Sequence, residues 1–216
     1  MVEEAFIKFL GDISGIPKKN TKTKKYENVM IGVVTVNKFT IKNDLKDIQN
    51  KFPSYWNKKG NQLTDNQLEK IIDYLNKKNM KMITVHFYKS DWDKYRKKYI
   101  NEANFEEKVM SILYFYALKF SARSKYRYNA LLDNDTNFGI IQCTKICNRL
   151  LREQHLNIEI SFGYREVHEE LRLPDWVAQA RKKIAIKKLN KYKNFYILEN
   201  KMPKMYLLKT FKSIKW

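Results

Sequence analysis

Apolar residues fall into short blocks along the chain, and their spacing switches between a period of two and a period near 3.6. Ala5 to Leu10 is a compact apolar block that predicts a first strand, ending at Gly11-Asp12. Gly15, Pro17 and the polar run to Lys25 break the pattern and predict a loop. Val29 to Val36 combines Met, Ile and four Val around one Gly, which predicts a second strand. Ile41 to Phe52 is weakly amphipathic. Thr64 followed by Gln67 forms a capping box, opening a helix with Leu68, Ile71, Ile72 and Leu75 on one face. Met80 to Tyr88 alternates and predicts a third strand. Ser90 caps a helical region whose second half, Phe105 to Phe120, is apolar nearly all round and predicts a buried helix.

Tyr128 to Leu132 predicts a fourth strand, ending in Asp133-Asn134-Asp135. Phe138 to Gln154 reads as a helix with Ile141, Ile146 and Leu150 facing inward, and Asn157 to Phe162 as a fifth strand. Pro174 then opens a last helix to about Lys193, because proline is tolerated where its missing N–H would be unpaired. Two strands, a helical insertion over 38–79, then strands alternating with helices predict an α/β fold. The expected architecture is a mixed sheet flanked by helices in one domain, 1–198, followed by a basic amphipathic tail, 199–216. No internal repeat or low-complexity linker is evident.

Charge changes the picture next. The 216 residues carry 43 Lys and Arg against 23 Asp and Glu, a formal charge of +20. Such a surplus repels itself on folding and is not needed for solubility, so it points to a polyanion, nucleic acid above all. Hydrophobic residues at 44% and aromatics at 14% exclude a mainly disordered chain. Two cysteines exclude a disulfide scaffold. Cys143 and Cys147 share a helical face and read as buried small hydrophobes; with His155 they would make a poor zinc site lacking a fourth ligand. Met-Val-Glu-Glu opens the chain with no cleavable apolar stretch, and runs such as Ile112 to Leu118 fall far short of the roughly 20 residues of a membrane span. A soluble, intracellular (cytoplasmic) protein with no membrane partner is the expectation.

Three acids stand out by location. Asp12 and Asp133 lie where the first and fourth strands end, and Asp175 lies in the first turn of the last helix. Sites in open α/β sheets form beyond the carboxyl ends of strands. Three converging carboxylates would repel each other unless a cation sits among them, and hard oxygen donors suit Mg²⁺ or Mn²⁺. Two such ions activate a water and stabilise the leaving oxygen in phosphodiester cleavage. Each acid also has an ordinary explanation, as a turn former or as a charge complementing a helix dipole. Asp135 would substitute for Asp133 if the fourth strand ended later. His168, among Glu166, Glu169 and Glu170, is a candidate general base or proton shuttle, against the commoner reading of a surface ion pair. His86, in an apolar strand, reads as a core or edge residue.

Phe9-Leu10-Gly11-Asp12-Ile13-Ser14-Gly15 resembles the opening strand of the RNase H-like proteins grouped as domain of unknown function 3800, with Ile13 in place of the family's second acid. Leu171-Arg172-Leu173-Pro174-Asp175-Trp176-Val177-Ala178 is similar to the family's closing motif, with Arg172 and Pro174 as departures, and Leu131-Leu132-Asp133 matches its middle strand. The resemblance covers roughly residues 5 to 198. It implies an RNase H-like mixed five-stranded sheet with the first three strands antiparallel, and Asp12, Asp133 and Asp175 as metal ligands. A fourth carboxylate from the helix after strand three is implied too, with Glu102, Glu106 and Glu107 as candidates.

The basic residues cluster beside these acids. Lys18, Lys19 and Lys22 follow Asp12, Arg123, Lys125 and Arg127 precede Asp133, and Arg181, Lys183, Lys187, Lys188 and Lys191 follow Asp175 in a stretch without acids. Lys183, Lys187 and Lys191 recur at helical spacing as a stripe suited to phosphates. Tyr192, Phe195 and Tyr196 are candidates for base stacking or for packing the helix end. The tail's Tyr206, Leu207, Leu208, Phe211, Ile214 and Trp216 suggest a homodimer contact. The leading expectation is a metal-dependent nuclease or related phosphodiester-processing enzyme. The rivals are a nucleic-acid-binding protein that has lost catalysis and, more weakly, an assembly protein driven by its tail.

Overall fold

The computed structural model describes residues 3–15, 28–91, 105–134 and 140–198. Among them, β1 (Glu3–Ser14), β2 (Val29–Asn37), β3 (Lys81–Phe87), β4 (Tyr126–Asp133), β5 (Asn157–Gly163) and β6 (Phe195–Ile197) form one mixed sheet in the order β5-β4-β1-β2-β3-β6. β2 runs antiparallel to β1 and β3. β4 runs parallel to β1 and β5, and β6 runs parallel to β3.

Alternation along the strands decides which helices cover which face. Ala5, Phe9 and Ile13 of β1 join a core with α4 (Phe105–Lys119) and α5 (Ile140–Glu153). Leu10 of β1 and Leu131 of β4 join the opposite core, with the insertion and α6 (Arg172–Lys183). The insertion comprises α1 (Ile41–Lys51), α2 (Pro53–Trp56), a 3-10 turn at Gly60–Gln62 and α3 (Asp65–Lys77). Thr64 caps α3 as expected: Gln67 N–H donates to its hydroxyl at 3.3 Å, and its own N–H donates to Gln67 Oε1 at 2.9 Å. The helix predicted over Phe105 to Phe120 buries residues on all sides, and Cys143 and Cys147 are buried hydrophobes. His155 is exposed, so the three make no zinc site.

Three expectations are corrected. The first strand does not end at Gly11-Asp12 but runs to Ser14, so Asp12 lies within it. The last helix does not reach Lys193: α6 begins at Arg172 and stops at Lys183, where Ile184 turns extended (φ −97°, ψ 135°), and only α7 (Ile186–Leu189) follows. From there the chain runs on to β6, which pairs with β3, and Ile184, Leu189, Tyr192 and Phe195 all pack into the core that α6 joins. The sheet therefore has six strands rather than five, and Tyr192 and Phe195 are core residues, the packing alternative for them. Lys18, Lys19, Lys22, Asp135, Glu102 and the tail 199–216 lie outside the described residues. No described helix is long and apolar enough to cross a membrane.

Candidate functional site

Asp12 and Asp133 share the sheet face that α6 covers, because each is spaced an even number of residues from a partner in that core: Leu10 and Leu131. β1 and β4 are adjacent and parallel, so both acids stand near the carboxyl ends of neighbouring strands. α6 reaches them through a glycine notch. Gly32 of β2 pairs with Asp12, and a Cβ there would lie 2.3 Å from Pro174 O and 2.9 Å from Ala178 N. Only a residue without a side chain lets the helix backbone settle this close, and that approach brings Asp175 beside Asp12. Trp176, fully buried against Trp56 at 5.9 Å between rings, anchors the helix; its loss to Ala would cost about 3–5 kcal/mol.

A fourth residue joins the three acids. Arg165, in the turn after β5, donates from Nη2 to Asp12 Oδ2 (2.8 Å) and Asp133 Oδ2 (3.0 Å), and from Nη1 to Asp175 Oδ2 (2.9 Å). All four are at most 8% exposed. The turn is closed by Val167 and His168 N–H groups donating to Tyr164 O at 3.0 and 2.9 Å, which fixes the direction of Arg165. Two backbone amides add to the shell: Ile13 N–H donates to Asp12 Oδ1 at 2.6 Å, and Gly60 N–H of the insertion donates to Asp175 Oδ2 at 2.7 Å. Beside Asp12, the Ser14 hydroxyl accepts from Gln179 and from Lys182 Nζ at 3.2 Å.

If all three carboxylates ionise, one guanidinium leaves two negative charges buried. Burial and mutual repulsion disfavour that state. Burial, then Asp175 and Asp133, raise the Asp12 pKa well above the usual carboxylate range. Burial also raises Asp175, against the opposing pull of Arg165 and the Gly60 amide. Burial works against the charged form of Arg165, but Asp12, Asp175 and Asp133 outweigh it and raise its pKa.

Among the described residues, no three His, Cys, Asp or Glu side chains are arranged to hold a metal ion. The aspartates are spread around a guanidinium instead, at N···O distances of 2.8–3.0 Å. Mg²⁺ would draw its oxygens to about 2.0–2.1 Å, roughly 0.8 Å closer. Hard oxygens and an unbalanced double charge fit a divalent cation in chemistry, so loading would require Arg165 to withdraw or the three acids to close in.

The other predicted residues are distributed differently. His168 packs its ring over Gly163, the residue paired with Asp133, and its Nδ1 stands 3.9 Å from Glu170, which also takes Lys8 at 3.2 Å. Glu106 and Glu107 sit in the first turn of α4, on the opposite sheet face from the aspartates. The basic stripe is dispersed: Lys183 donates to Asn61 O and Leu63 O, while Lys188 and Lys191 approach Glu69 of α3 at 3.8 and 2.6 Å. Arg181 is buried, and Lys187 is exposed on α7. Arg127 pairs with Glu159 at 3.0 Å, and Arg123 lies at the other end of the sheet. Sequence reasoning missed Arg165 and Gly60. Arg165 is one of 43 basic residues and its neighbourhood carries no motif; Gly60 lies in the predicted helical insertion, with no motif of its own.

Compared with known proteins, the chain matches no family model and no curated sequence.

Proposed function

We propose that the protein is a Mg²⁺- or Mn²⁺-dependent nuclease, or a related phosphodiester-processing enzyme, with an RNase H-like fold. The observation that carries this reading is the convergence of Asp12, Asp133 and Asp175, from two parallel strands and a helix start, with more negative charge than Arg165 neutralises. Three antiparallel strands followed by two parallel crossovers, with a helical insertion after the second strand, agree with the same reading. In it, Asp12, Asp133 and Asp175 would hold the divalent cations, whose chemistry when bound would be to activate a water and stabilise the leaving oxygen. Gly60 N–H and Ile13 N–H orient the carboxylates. Lys182, beside Asp12 through Ser14, and Lys187 on the surface offer charge to the nucleic-acid backbone.

One observation favours a second reading, a nucleic-acid-binding protein without catalysis. Arg165 already donates to every acid of the cluster, so it serves as a built-in cation that makes a metal unnecessary for folding. Labelled single- and double-stranded DNA and RNA, incubated with Mn²⁺ or with EDTA, separate the two. Metal-dependent cleavage that disappears in Asp12→Asn and Asp133→Asn supports the enzyme. Binding that weakens steeply with salt, without cleavage, supports the second reading. Absence of both overturns both.

A further inference from the structure

The sheet end opposite the aspartates contains a second polar feature. β1 and β4 pair at Glu3–Tyr126 and Glu4–Arg127, and again from Lys8–Asn129 onward. Between these points β1 spends three residues, Ala5, Phe6 and Ile7, where β4 spends only Tyr128. The bulge parts the strands and opens a cavity of about 350 Å³. Its walls include Tyr126 and Tyr128, and its polar groups come from Thr35, Lys81, Ser121 and Arg123. It lies about seven strand residues from Asp12, roughly 20 Å along β1.

Two cations with the same charge meet in this space. Lys81 Nζ is held over the rings of Phe120 and Tyr196 at 4.6 and 4.9 Å, which fixes its position without neutralising it. Nearby acids are engaged elsewhere: Glu4 by Lys38 at 2.6 Å, and Glu159 by Arg127 at 3.0 Å. The backbone at Arg123 is pinned, since its N–H donates to Tyr128 Oη at 3.0 Å and its carbonyl accepts from Tyr126 N–H at 3.1 Å. Ser121 Oγ is buried at the cavity with no hydrogen-bond partner. Phe6 is 66% exposed and Ile7 42% exposed at the strand that forms the mouth. A cavity of this size suits a ligand larger than a bare ion.

We propose that this cavity binds a nucleoside monophosphate, either free or as the phosphorylated end of a nucleic-acid strand. Lys81 and Arg123 neutralise the phosphate, and the base lies against the exposed surface of Phe6 and Ile7 and the half-buried ring of Tyr126. The site is separate from the aspartate cluster and needs no metal.

Calorimetric titration in EDTA tests it, with AMP, adenosine, inorganic phosphate and a short oligonucleotide bearing a 5′-phosphate or a 5′-hydroxyl. AMP is expected to bind with a Kd below about 1 mM, and adenosine at least tenfold more weakly. Arg123→Met and Lys81→Met are each expected to weaken AMP by about tenfold or more, while Lys51→Met, an exposed charge on α1, leaves it unchanged. A preference of at least tenfold for the 5′-phosphorylated oligonucleotide over both its 5′-hydroxyl form and AMP identifies a strand end; equal or weaker oligonucleotide binding identifies the free nucleotide. Adenosine binding as tightly as AMP overturns the proposal. So does failure of AMP to bind, or binding that is indifferent to Arg123→Met, which is exposed and does not disturb the fold. Because EDTA silences metal-dependent cleavage, these outcomes are independent of the nuclease reading.

Discussion

Arg165→Met removes the guanidinium that Asp12, Asp133 and Asp175 share, while keeping much of the side chain's volume. Three charge-assisted hydrogen bonds are lost, each in the range of about 1.5–3 kcal/mol. They are not additive, because the stranded acids can take up protons. Breaking a buried charge cluster by removing one partner costs about 3–5 kcal/mol, and that is the expected loss at pH 7.5 in EDTA. For a chain of this size it corresponds to a fall in Tm of about 6–20 °C. The loss is expected to shrink toward pH 4. Asp12 and Asp175 already have raised pKa values, so as pH falls they protonate and no longer need a cation. Mn²⁺ then becomes the discriminating reagent. In the variant it has no competitor within the cluster, and at a hundredfold excess over its Kd it returns about 2.7 kcal/mol. Thermal melts of wild type and variant across pH 4–8, with EDTA and with Mn²⁺, provide the measurement. An Arg165→Met protein that melts within about 2 °C of wild type at pH 7.5, and gains nothing from Mn²⁺, refutes the idea that this cluster is an under-neutralised cation site.

Asp12→Asn is expected to behave in the opposite sense. The folded pKa of Asp12 is raised above the unfolded value near 3.9, so folded wild type binds the extra proton and loses stability as pH rises between the two. In EDTA, the Asn variant is therefore expected to gain on wild type as pH climbs from 4 to 8; a pH-independent difference in Tm counts against the assignment. Gly32→Ala puts a Cβ 2.3 Å from Pro174 O, a backbone atom, and is expected to destabilise by about 1–3 kcal/mol and to weaken Mn²⁺ binding by displacing α6. A variant that melts and binds Mn²⁺ as wild type does would contradict the notch. Burial pushes the Cys143 thiol up to about 12 and Cys147 upward as well, so native protein at pH 8 is expected to leave a thiol-reactive dye uncoloured until denatured. Rapid reaction of either thiol in the native state would contradict that burial.

The core strands and helices were legible because their periods are clean. Val29–Asn37 is β-branched and Phe105–Lys119 is apolar all round, so neither had a competing reading. The three aspartates were legible as places where elements end and a helix begins. Two things were not. The break after Lys183 leaves no local mark, since Ile186, Lys187, Lys188 and Leu189 would all sit well in a longer helix, and it is tertiary burial of Tyr192 and Phe195 that turns the chain. The acid-free run from Trp176 to Leu198 suggested an open basic surface, but its balancing charge comes from Glu69, more than a hundred residues earlier in the sequence. Arg165 is a similar case: its importance lies wholly in what three distant segments bring to it.

The Gly60 amide, from the insertion, meets Asp175, from α6, across 115 residues of sequence. Asp12 leaves the ribosome early and Asp175 late. At about 5–20 residues per second, the interval between them is roughly 8–30 s. Once residue 60 is made, the nascent chain has the hairpin strands with Asp12 and an insertion with an unanswered amide, but no complete acid cluster until Asp175 follows. Assembly of the cluster therefore waits until Asp175 has been made. A truncated product ending before α6 would retain 30 of the 43 Lys and Arg, together with Arg165, Asp12 and Asp133, but would lack the third carboxylate.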